Sequence, residues 1–264
     1  FEGGLNLKFH ELTHTGKAVK HLILLGLPLS WFFGFLVCYW VANLSITLSL
    51  LLSSILVVTG PTVILPLIRQ TKLKTRTSSL LKWEGIINDP IGILLAVLVF
   101  QFVVASDFIA LDKSTILYLL GSIASSILIG FGGGHFLKFV FEKGHVPEFL
   151  KLPMVLATVL SLYALSNIFQ EEIGLLTVTV MGITMGNIGM LIIYELRKFK
   201  ENITAILVPV VFIILTADLN LKDLMGLNWR VCLFLFCFLF LVRPAAVWLS
   251  TIGTGLSWKE RVFV

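Results

Sequence analysis

Five long stretches of the chain contain no charged residue, and this feature constrains the fold more than any other. Asp, Glu, Lys and Arg are absent from residues 22–42, 43–68, 114–134, 152–170 and 173–194. A helix needs about 20 apolar residues to cross the hydrocarbon core of a bilayer, which is ~30 Å thick. Only 13% of the residues are charged, about half the share typical of soluble domains. The sequence therefore predicts an all-α, polytopic membrane protein embedded in the lipid bilayer.

The apolar runs divide into eight complete membrane spans, with the end of an earlier helix at 1–7. The spans are predicted at 22–42, 44–69, 83–105, 114–137, 150–169, 172–193, 203–219 and 230–251. The loops between them alternate in charge: one set holds 16 Lys and Arg residues and the other holds 3. Cytoplasmic loops are the basic ones, so loops 8–21, 69–82, 138–151 and 195–201 are predicted to face the cytoplasm. The net charge of +5 follows from this topology, and nucleic acid is not expected as a partner.

Three ionisable residues fall inside the predicted spans: Glu84, Asp89 and Arg243. If the third span starts near Leu80, Asp89 lies about 13 Å along its helix, near the middle of the hydrocarbon core. Charged residues at that depth are costly, and they mark an ion or proton pathway or a buried pair. Arg243 can neutralise one of the two acids, which leaves the other as a titratable site. This charge balance favours a carrier of protons or small cations.

Prolines interrupt the backbone next to these acids. Pro90 has no N–H, so the carbonyl of Ile86 loses its helical partner. Pro61 does the same to the carbonyl of Val57 in the preceding span. Irregular backbone at membrane depth occurs where it is buried or lines a cavity, and broken helices that expose carbonyls hold cations in transporters. Two interrupted spans beside an intramembrane acid therefore predict a cation site.

A different chemistry is suggested by residues 10–14, which read His-Glu-Leu-Thr-His. On a helix, this spacing places His10 and His14 on one face as zinc ligands, with Glu11 as the general base of a metalloprotease. No downstream His or carboxylate supplies an obvious third ligand, and a polar cytoplasmic loop accounts for the same residues. A membrane zinc protease therefore stands as the alternative to a carrier.

Five stretches together resemble a known family. They read FEGGLNL (1–7), ILVVTGPTVILPLIR (55–69), KWEGIINDPIGILLAVLVF (82–100), EEIGLLTVTVMGI (171–183) and LVRPAAVWLSTIGTGLSWKERVF (241–263). They resemble bacterial sodium/proton antiporters of the NhaP type, in the cation:proton antiporter family that includes the animal sodium/proton exchangers. The resemblance covers essentially the whole chain and assigns residues 1–264 to one sodium/hydrogen exchanger transmembrane domain. Because the chain begins at Phe1 and ends as a helix starts, we expect this domain to be partial.

The resemblance implies a role for each polar residue of the third span. Asp89 matches the aspartate that alternately binds the cation and protons. Asn88 matches the asparagine of the electroneutral subgroup, in which electrogenic relatives have a second aspartate. Glu84 matches a glutamate that pairs with a core arginine, and Arg243 resembles that arginine. The likeness therefore separates the two acids into a carrier and a partner in a structural ion pair.

Three further residues enter the expected site through the same resemblance. Thr59 and Thr62 lie in the unwound crossing stretch, whose carbonyls and hydroxyls help to cage the ion, and Glu2 resembles an acid that lines the ion path. Two departures remove potential oxygen ligands: Gly60 stands where many relatives have Asp, and Gly85 where many have Ser. The preference among Na⁺, K⁺ and Li⁺ therefore stays open at this stage.

The function implied by the family is exchange of a monovalent cation for protons, in the service of pH homeostasis. The expected mechanism is alternating access with competition at one carboxylate, without an enzymatic step or a cofactor. Relatives act as homodimers, and a bacterial inner membrane is the expected location. A channel with the same fold is a third candidate, which saturable exchange distinguishes from linear conductance.

Overall fold

The computed structural model of the protein describes residues 1–58, 60, 64, 68, 71, 73–104, 113–144, 146–188, 206–217 and 228–263. Helices and their connections account for these ranges, and none of the residues in them forms a strand. The all-α prediction is confirmed for this part of the chain.

The α-helices are numbered in chain order. They are α1 (Glu2–Leu5), α2 (Leu12–His21), α3 (Leu27–Trp40), α4 (Ile46–Leu56), α5 (Thr75–Val104), α6 (Lys113–Glu142), α7 (Glu148–Phe169), α8 (Ile173–Asn187), α9 (Ile206–Ala217), α10 (Trp229–Cys237), α11 (Arg243–Ser250) and α12 (Trp258–Phe263). A 3₁₀ turn at Phe9–Glu11 precedes α2, and two π segments join α2 to α3 and α10 to α11, at Leu22–Gly26 and Phe238–Val242.

Five helical regions of the described chain are long and apolar enough to cross a membrane. They are Thr15–Trp40, Thr75–Val103, Leu120–Glu142, Glu148–Phe169 and Trp229–Ser250. The shorter apolar helices α4, α8 and α9 coincide with the other three predicted spans. These three spans extend into residues outside the description. The residues concerned belong to the second half of span 44–69 and to the ends of spans 172–193 and 203–219. Each predicted span therefore overlaps a described helix.

Helix α5 begins at Thr75, well before the predicted start of its span at residue 83. The polar residues of 75–82 read as a loop in the sequence, but they form the first turns of the helix. Lys82 pairs there with Glu11, with 2.6 Å between Nζ and Oε1, so its charge is compensated beside the bundle. Asp89 consequently lies about 21 Å along α5.

The predicted interruption is present after α4 but not in α5. Helix α4 ends at Leu56, and Val57 and Val58 continue without helical structure. Helix α5, by contrast, runs unbroken through Pro90. A proline removes a single backbone donor from a helix, and neighbouring groups compensate for that loss in membrane helices. The prediction of two interrupted neighbours is therefore wrong for α5.

The two π segments follow a common rule. Each ends two residues before a proline, Gly26 before Pro28 and Val242 before Pro244. A proline ring crowds the carbonyl of the preceding turn, and a π turn gives that carbonyl a wider spacing. The two spans lie side by side, since a Cβ built on Gly26 would lie 3.3 Å from Oγ of Ser250. Arg243 follows directly after the second π segment.

Helix α8 packs against α6 by a backbone contact that requires glycine. A Cβ built on Gly130 of α6 would lie 2.3 Å from the carbonyl oxygen of Thr177 in α8. No side chain fits at that distance, so this glycine allows the two helix backbones to approach closely. Gly132, two residues further along α6, has nothing within 4 Å of its built Cβ.

Two of the predicted basic loops meet at one end of the bundle, together with residues 255–260. The Glu11–Lys82 pair joins loop 8–21 to loop 69–82. Arg76 reaches residues 255–260 through a hydrogen bond from Nη2 to the carbonyl of Gly255, at 3.3 Å, and through a 3.8 Å pair with Glu260. The charge alternation in the sequence therefore corresponds to a spatial grouping of these loops.

Candidate functional site

Helix α5 carries a buried polar pair at Glu84 and Asn88. The two residues are four apart in the helix, so their side chains lie on the same face. Nδ2 of Asn88 donates a hydrogen bond to Oε1 of Glu84 at 2.9 Å. Each residue is 2% exposed, so the carboxylate is almost fully removed from solvent and its charge depends on protein partners.

The second partner of Glu84 is Arg243, from the start of α11. Nη1 of Arg243 donates to the same oxygen, Oε1 of Glu84, at 3.0 Å. The arginine side chain is 26% exposed, whereas that of Glu84 is 3% exposed. The π segment Phe238–Val242 ends at the residue before Arg243. The structure thus brings together Glu84 and Arg243, and Asn88 joins them in a three-residue network.

The amide oxygen of Asn88 is not used in the hydrogen bond to Glu84. The amide nitrogen is directed at the carboxylate of Glu84, so the oxygen faces elsewhere. This Oδ1 atom is buried and has no hydrogen-bond partner among the described residues. Buried acceptors are almost always satisfied by protein, water or an ion. The oxygen is therefore available for a cation or for a water that accompanies one.

Asp89 follows Asn88 but does not belong to this network. It is half-buried, and it is rotated by about 100° around α5 from Asn88. Arg243 binds Glu84 rather than Asp89. Of the two acids on α5, Glu84 is thus neutralised by an arginine, and Asp89 lies outside that ion pair.

The non-helical residues after α4 contact α5 close to Asp89. A Cβ built on Gly92 would lie 2.8 Å from Cγ2 of Val58, so the Val58 side chain would have to shift to accept a larger residue there. Gly92 is three residues from Asp89, on the same side of α5. The next residue after Val58 is Thr59. Thr59 and Thr62 lie outside the described residues.

The helix that bears Glu2, α1, lies against the same region of α5. A Cβ built on the next residue, Gly3, would lie 3.0 Å from Cγ2 of Ile86, in the turn of α5 between Glu84 and Asn88. The structure therefore places the short helix that bears Glu2 against the polar stretch of α5.

Asn187, at the end of α8, is a positioning residue that the sequence did not reveal. Its Nδ2 donates to the carbonyl of Leu7 at 2.8 Å, and its Oδ1 accepts from the backbone N–H of Phe9 at 2.8 Å. These bonds hold the chain that leaves α1. A single asparagine after an apolar run gives no sequence signal for this role, because its partners lie about 180 residues away in the chain.

A cleft of about 570 Å³ lies between α4 and α5. Val58 and Ile93 line one part of it, and Ile93 is one helical turn beyond Asp89. Glu171 and Glu172, at the turn before α8, line another part. The cleft follows the half of α5 that leads away from the basic end of the bundle.

In the His-Glu-Leu-Thr-His stretch, Glu11 has a structural role. Its Oε1 pairs with Lys82, and its Oε2 accepts from the hydroxyl of Ser79 at 3.2 Å. His10 lies in the 3₁₀ turn before α2, and the side chain of His14 is outside the description. Among the described residues, no group of three or more His, Cys, Asp or Glu side chains is arranged to hold a metal ion. The stretch thus joins α2 to α5 at the basic end.

These features define the class as polytopic helical membrane proteins in which a carboxylate-bearing helix lies beside an interrupted one. Residues 1–264 match the family described as "Sodium/hydrogen exchanger, transmembrane". The chain belongs to this family, and the resemblance seen in its sequence is confirmed.

Characterised relatives are similar over the whole chain but are themselves longer. The "K(+)/H(+) antiporter NhaP" of Alkalimonas amylolytica is 25% identical over 100% of this chain and 46% of its own length. The "Na(+)/H(+) antiporter ApNhaP" of Aphanothece halophytica is 24% identical over 98% of this chain and 51% of its own length. The chain therefore spans about half the length of these relatives.

The fold is similar to that of a solved antiporter. The sodium proton antiporter MjNhaP1 from Methanocaldococcus jannaschii superposes with a TM-score of 0.83 at 20% identity, over 98% of this chain and 64% of that structure. This likeness establishes the architecture of the bundle, including the part that carries the polar network.

Proposed function

We propose that the protein is a secondary transporter that exchanges a monovalent cation for protons, with competition between the two at Asp89. The observation that carries this proposal is the difference in environment between the two acids on α5. Glu84 is neutralised by Arg243 at 3.0 Å, whereas the half-buried Asp89 lies outside that pair. A carboxylate that binds either a proton or a cation, but not both, produces obligatory exchange in an alternating-access cycle.

The surroundings of Asp89 supply ligands for a cation. Asn88 offers an Oδ1 atom without a partner among the described residues, and Thr59 and Thr62 would add the hydroxyl and carbonyl oxygens that the family resemblance implies. Glu2 would line the approach from α1. Oxygen donors of this kind suit hard cations such as Na⁺ and K⁺. The relatives named as Na⁺/H⁺ and K⁺/H⁺ antiporters make both ions candidates, with Li⁺ as a third.

The charge of the site supports electroneutral exchange. On α5, Asp89 is the carboxylate outside the Glu84–Arg243 pair, because Asn88 is an amide. One cation then replaces one proton. Glu171 and Glu172, at one part of the otherwise apolar cleft between α4 and α5, would attract cations on the side opposite the basic loops.

The topology proposed for the protein follows its basic loops. Loops 8–21, 69–82, 138–151 and 195–201 would face the cytoplasm of a bacterial cell, with the spans in its inner membrane. The complete protein would act as a homodimer without a cofactor and would serve pH homeostasis. Cysteine labelling from either side of the membrane tests the orientation, and the mass of the detergent-solubilised protein tests the dimer.

The decisive experiment measures proton flux driven by Na⁺, K⁺ and Li⁺ gradients in proteoliposomes that contain the complete protein. Asp89→Asn is expected to abolish this flux, while Glu148→Gln, which removes a carboxylate 81% exposed at the start of α7, should leave it unchanged. Flux that persists in Asp89→Asn would reject the mechanism. Flux that rises linearly with cation concentration, without saturation, would indicate a channel instead.

A further inference from the structure

Helix α1, which bears Glu2, lies directly against the side chain of Ile86 in α5. A Cβ built on Gly3 would lie 3.0 Å from Cγ2 and 3.2 Å from Cγ1 of Ile86. Carbon atoms pack at about 3.5–4.0 Å from one another, so this contact leaves no room for a side chain at Gly3. The glycine therefore lets the backbone of α1 approach α5 as closely as Ile86 allows.

The start of α1 lies near Asp89 as well. The backbone nitrogen of Phe1 is within electrostatic range of the Asp89 carboxylate. Ile86 and Asp89 are three residues apart in α5, so they share one side of that helix. Glu2 comes between Phe1 and Gly3 in the chain. The first residues of α1 therefore form a wall beside Asp89, and Ile86 determines how close to α5 that wall can come.

Helix α8 holds α1 from the other side. A Cβ built on Gly4 of α1 would lie 2.8 Å from the backbone nitrogen of Ile183 in α8. On the facing helix, a Cβ built on Gly186 would lie 2.7 Å from the carbonyl oxygen of Leu5. The two backbones are thus in direct contact, as small residues permit in membrane helices. Asn187 adds two hydrogen bonds of 2.8 Å to the chain that leaves α1.

The gap between α1 and α5 is therefore fixed by rigid groups. At about 100° per residue, Gly3 lies roughly 150° around α1 from the face formed by Gly4 and Leu5, so α5 and α8 hold α1 from nearly opposite sides. Ile86 is 3% exposed, and a β-branched side chain has one strongly preferred rotamer in a helix. A group added at Gly3 must consequently widen the gap between α1 and α5.

We propose, on the basis of the exchange proposed at Asp89, that the contact between Gly3 and Ile86 sets the width of the cation site and thereby its preference between Na⁺ and K⁺. Selection between two hard cations depends on the size and flexibility of the cavity that holds them. K⁺ is the larger ion, so a wider gap between α1 and α5 favours K⁺ over Na⁺. Ile86 has no oxygen to bind the ion, and it acts as a positioning residue through α1.

The test titrates proton flux against Na⁺ and K⁺ in proteoliposomes that contain the complete protein or its Gly3→Ala variant. The added methyl group requires a shift of a few tenths of an ångström. We expect the ratio of the KM for Na⁺ to the KM for K⁺ to rise about fivefold, a fraction of the roughly 10²-fold effect of a 1 Å misplacement in a preorganised site. This ratio does not depend on the amount of folded protein, so a purely structural role of Gly3 would not change it.

Substitutions of Ile86 test the contact without adding a group to α1. Ile86→Ala removes both γ carbons and lets α1 approach α5, so the KM ratio should fall. Ile86→Val keeps both γ carbons and should keep the ratio. In the double variant Gly3→Ala/Ile86→Ala, the new methyl group would meet only Cβ of residue 86, at 3.6 Å, and the ratio should return towards that of the unmodified protein.

Gly132→Ala is the matched control, because it adds the same methyl group to α6 with nothing within 4 Å and should leave the KM ratio unchanged. If Na⁺ and K⁺ both drive exchange but the ratio is the same in Gly3→Ala and Ile86→Ala as in the unmodified protein, the role of this contact is overturned and the proposed exchange stands. A changed ratio that the double variant does not restore also overturns it. Absence of cation-driven flux in the unmodified protein would reject the proposed exchange, and the role of the contact with it.

Discussion

The carboxylate of Glu84 and the guanidinium of Arg243 lie 3.0 Å apart, although 159 residues separate them in the chain. The pair joins α5 to the start of α11, directly after the π segment Phe238–Val242, and both places have a proline close by. Because the Glu84 side chain is 3% exposed, its charge is stabilised by Arg243 and Asn88 rather than by water. The stability of the bundle and the charge of the site therefore depend on the same contact.

We expect Arg243→Ala to lower the free energy of unfolding by about 3–5 kcal/mol, because it leaves an uncompensated buried carboxylate. Thermal unfolding of the purified protein measures this effect. Arg76→Ala is the control, since its ion pair with Glu260 is 3.8 Å long and 40% exposed on the arginine side and should contribute less than about 1 kcal/mol. Glu84→Gln added to Arg243→Ala should recover part of the loss. Equal losses in the two single arginine variants would argue against a special role of the buried pair.

Asn88→Leu tests whether the unpartnered Oδ1 atom is a cation ligand. The substitution keeps a side chain of similar size but removes the oxygen and the hydrogen bond to Glu84. We expect the KM for the cation to rise about tenfold, the change that corresponds to one lost polar contact, while kcat at saturating cation is largely retained. Flux titrations in proteoliposomes measure both constants. A normal KM in a folded variant would remove Asn88 from the set of ligands.

Two glycines on α6 provide a matched pair of substitutions. Gly130→Ala places a Cβ at 2.3 Å from the backbone of Thr177, so α6 and α8 must separate at a cost of about 1–3 kcal/mol. Gly132→Ala meets nothing within 4 Å and should stabilise the helix by about 0.5–1 kcal/mol. The thermal unfolding midpoints should shift in opposite directions. Shifts of the same sign and size would show that the α6–α8 contact is not so close.

Glu260 makes a small, pH-dependent contribution to stability. Burial opposes its ionisation, but hydrogen bonds from Ser257 and the positive charges of Arg76 and Lys74 outweigh burial and lower the pKa of Glu260 below its usual value of 4.5. A carboxyl with a lowered pKa stabilises the folded state above its unfolded-state pKa, and this contribution is lost as the pH falls through the folded-state pKa.

Glu260→Gln should therefore reduce stability at neutral pH by less than about 1 kcal/mol, because its ion pair with Arg76 is 3.8 Å long and the arginine side chain is 40% exposed. The difference from the unmodified protein should vanish as the pH falls well below 4.5. Unfolding midpoints recorded for both proteins from neutral to acidic pH measure this convergence. Curves that stay parallel throughout would show that Glu260 has an ordinary pKa.

The element boundaries illustrate how far sequence reasoning extends. Each span predicted from hydropathy overlaps a described helix, because transfer of apolar residues into lipid depends mainly on local composition. It placed the start of α5 eight residues late, because the charges of residues 75–82 mark the edge of the membrane rather than the end of the helix. The break after α4 agrees with the Gly60–Pro61 pattern, whereas α5 absorbs Pro90 without unwinding. A proline shows where a backbone bond is lost, but the surrounding packing decides whether the helix opens.

The sequence by itself determined the membrane class and the three ionisable residues at issue, because hydropathy and charge are read residue by residue along the chain. From charge alone, Arg243 could pair with either acid, and only the resemblance to a family favoured Glu84. The tertiary structure placed Arg243 on Glu84, directed the amide nitrogen of Asn88 to the same carboxylate oxygen, and occupied Glu11 with Lys82. Each of these outcomes depends on a distance between side chains, and local sequence does not specify such distances when the elements are far apart in the chain.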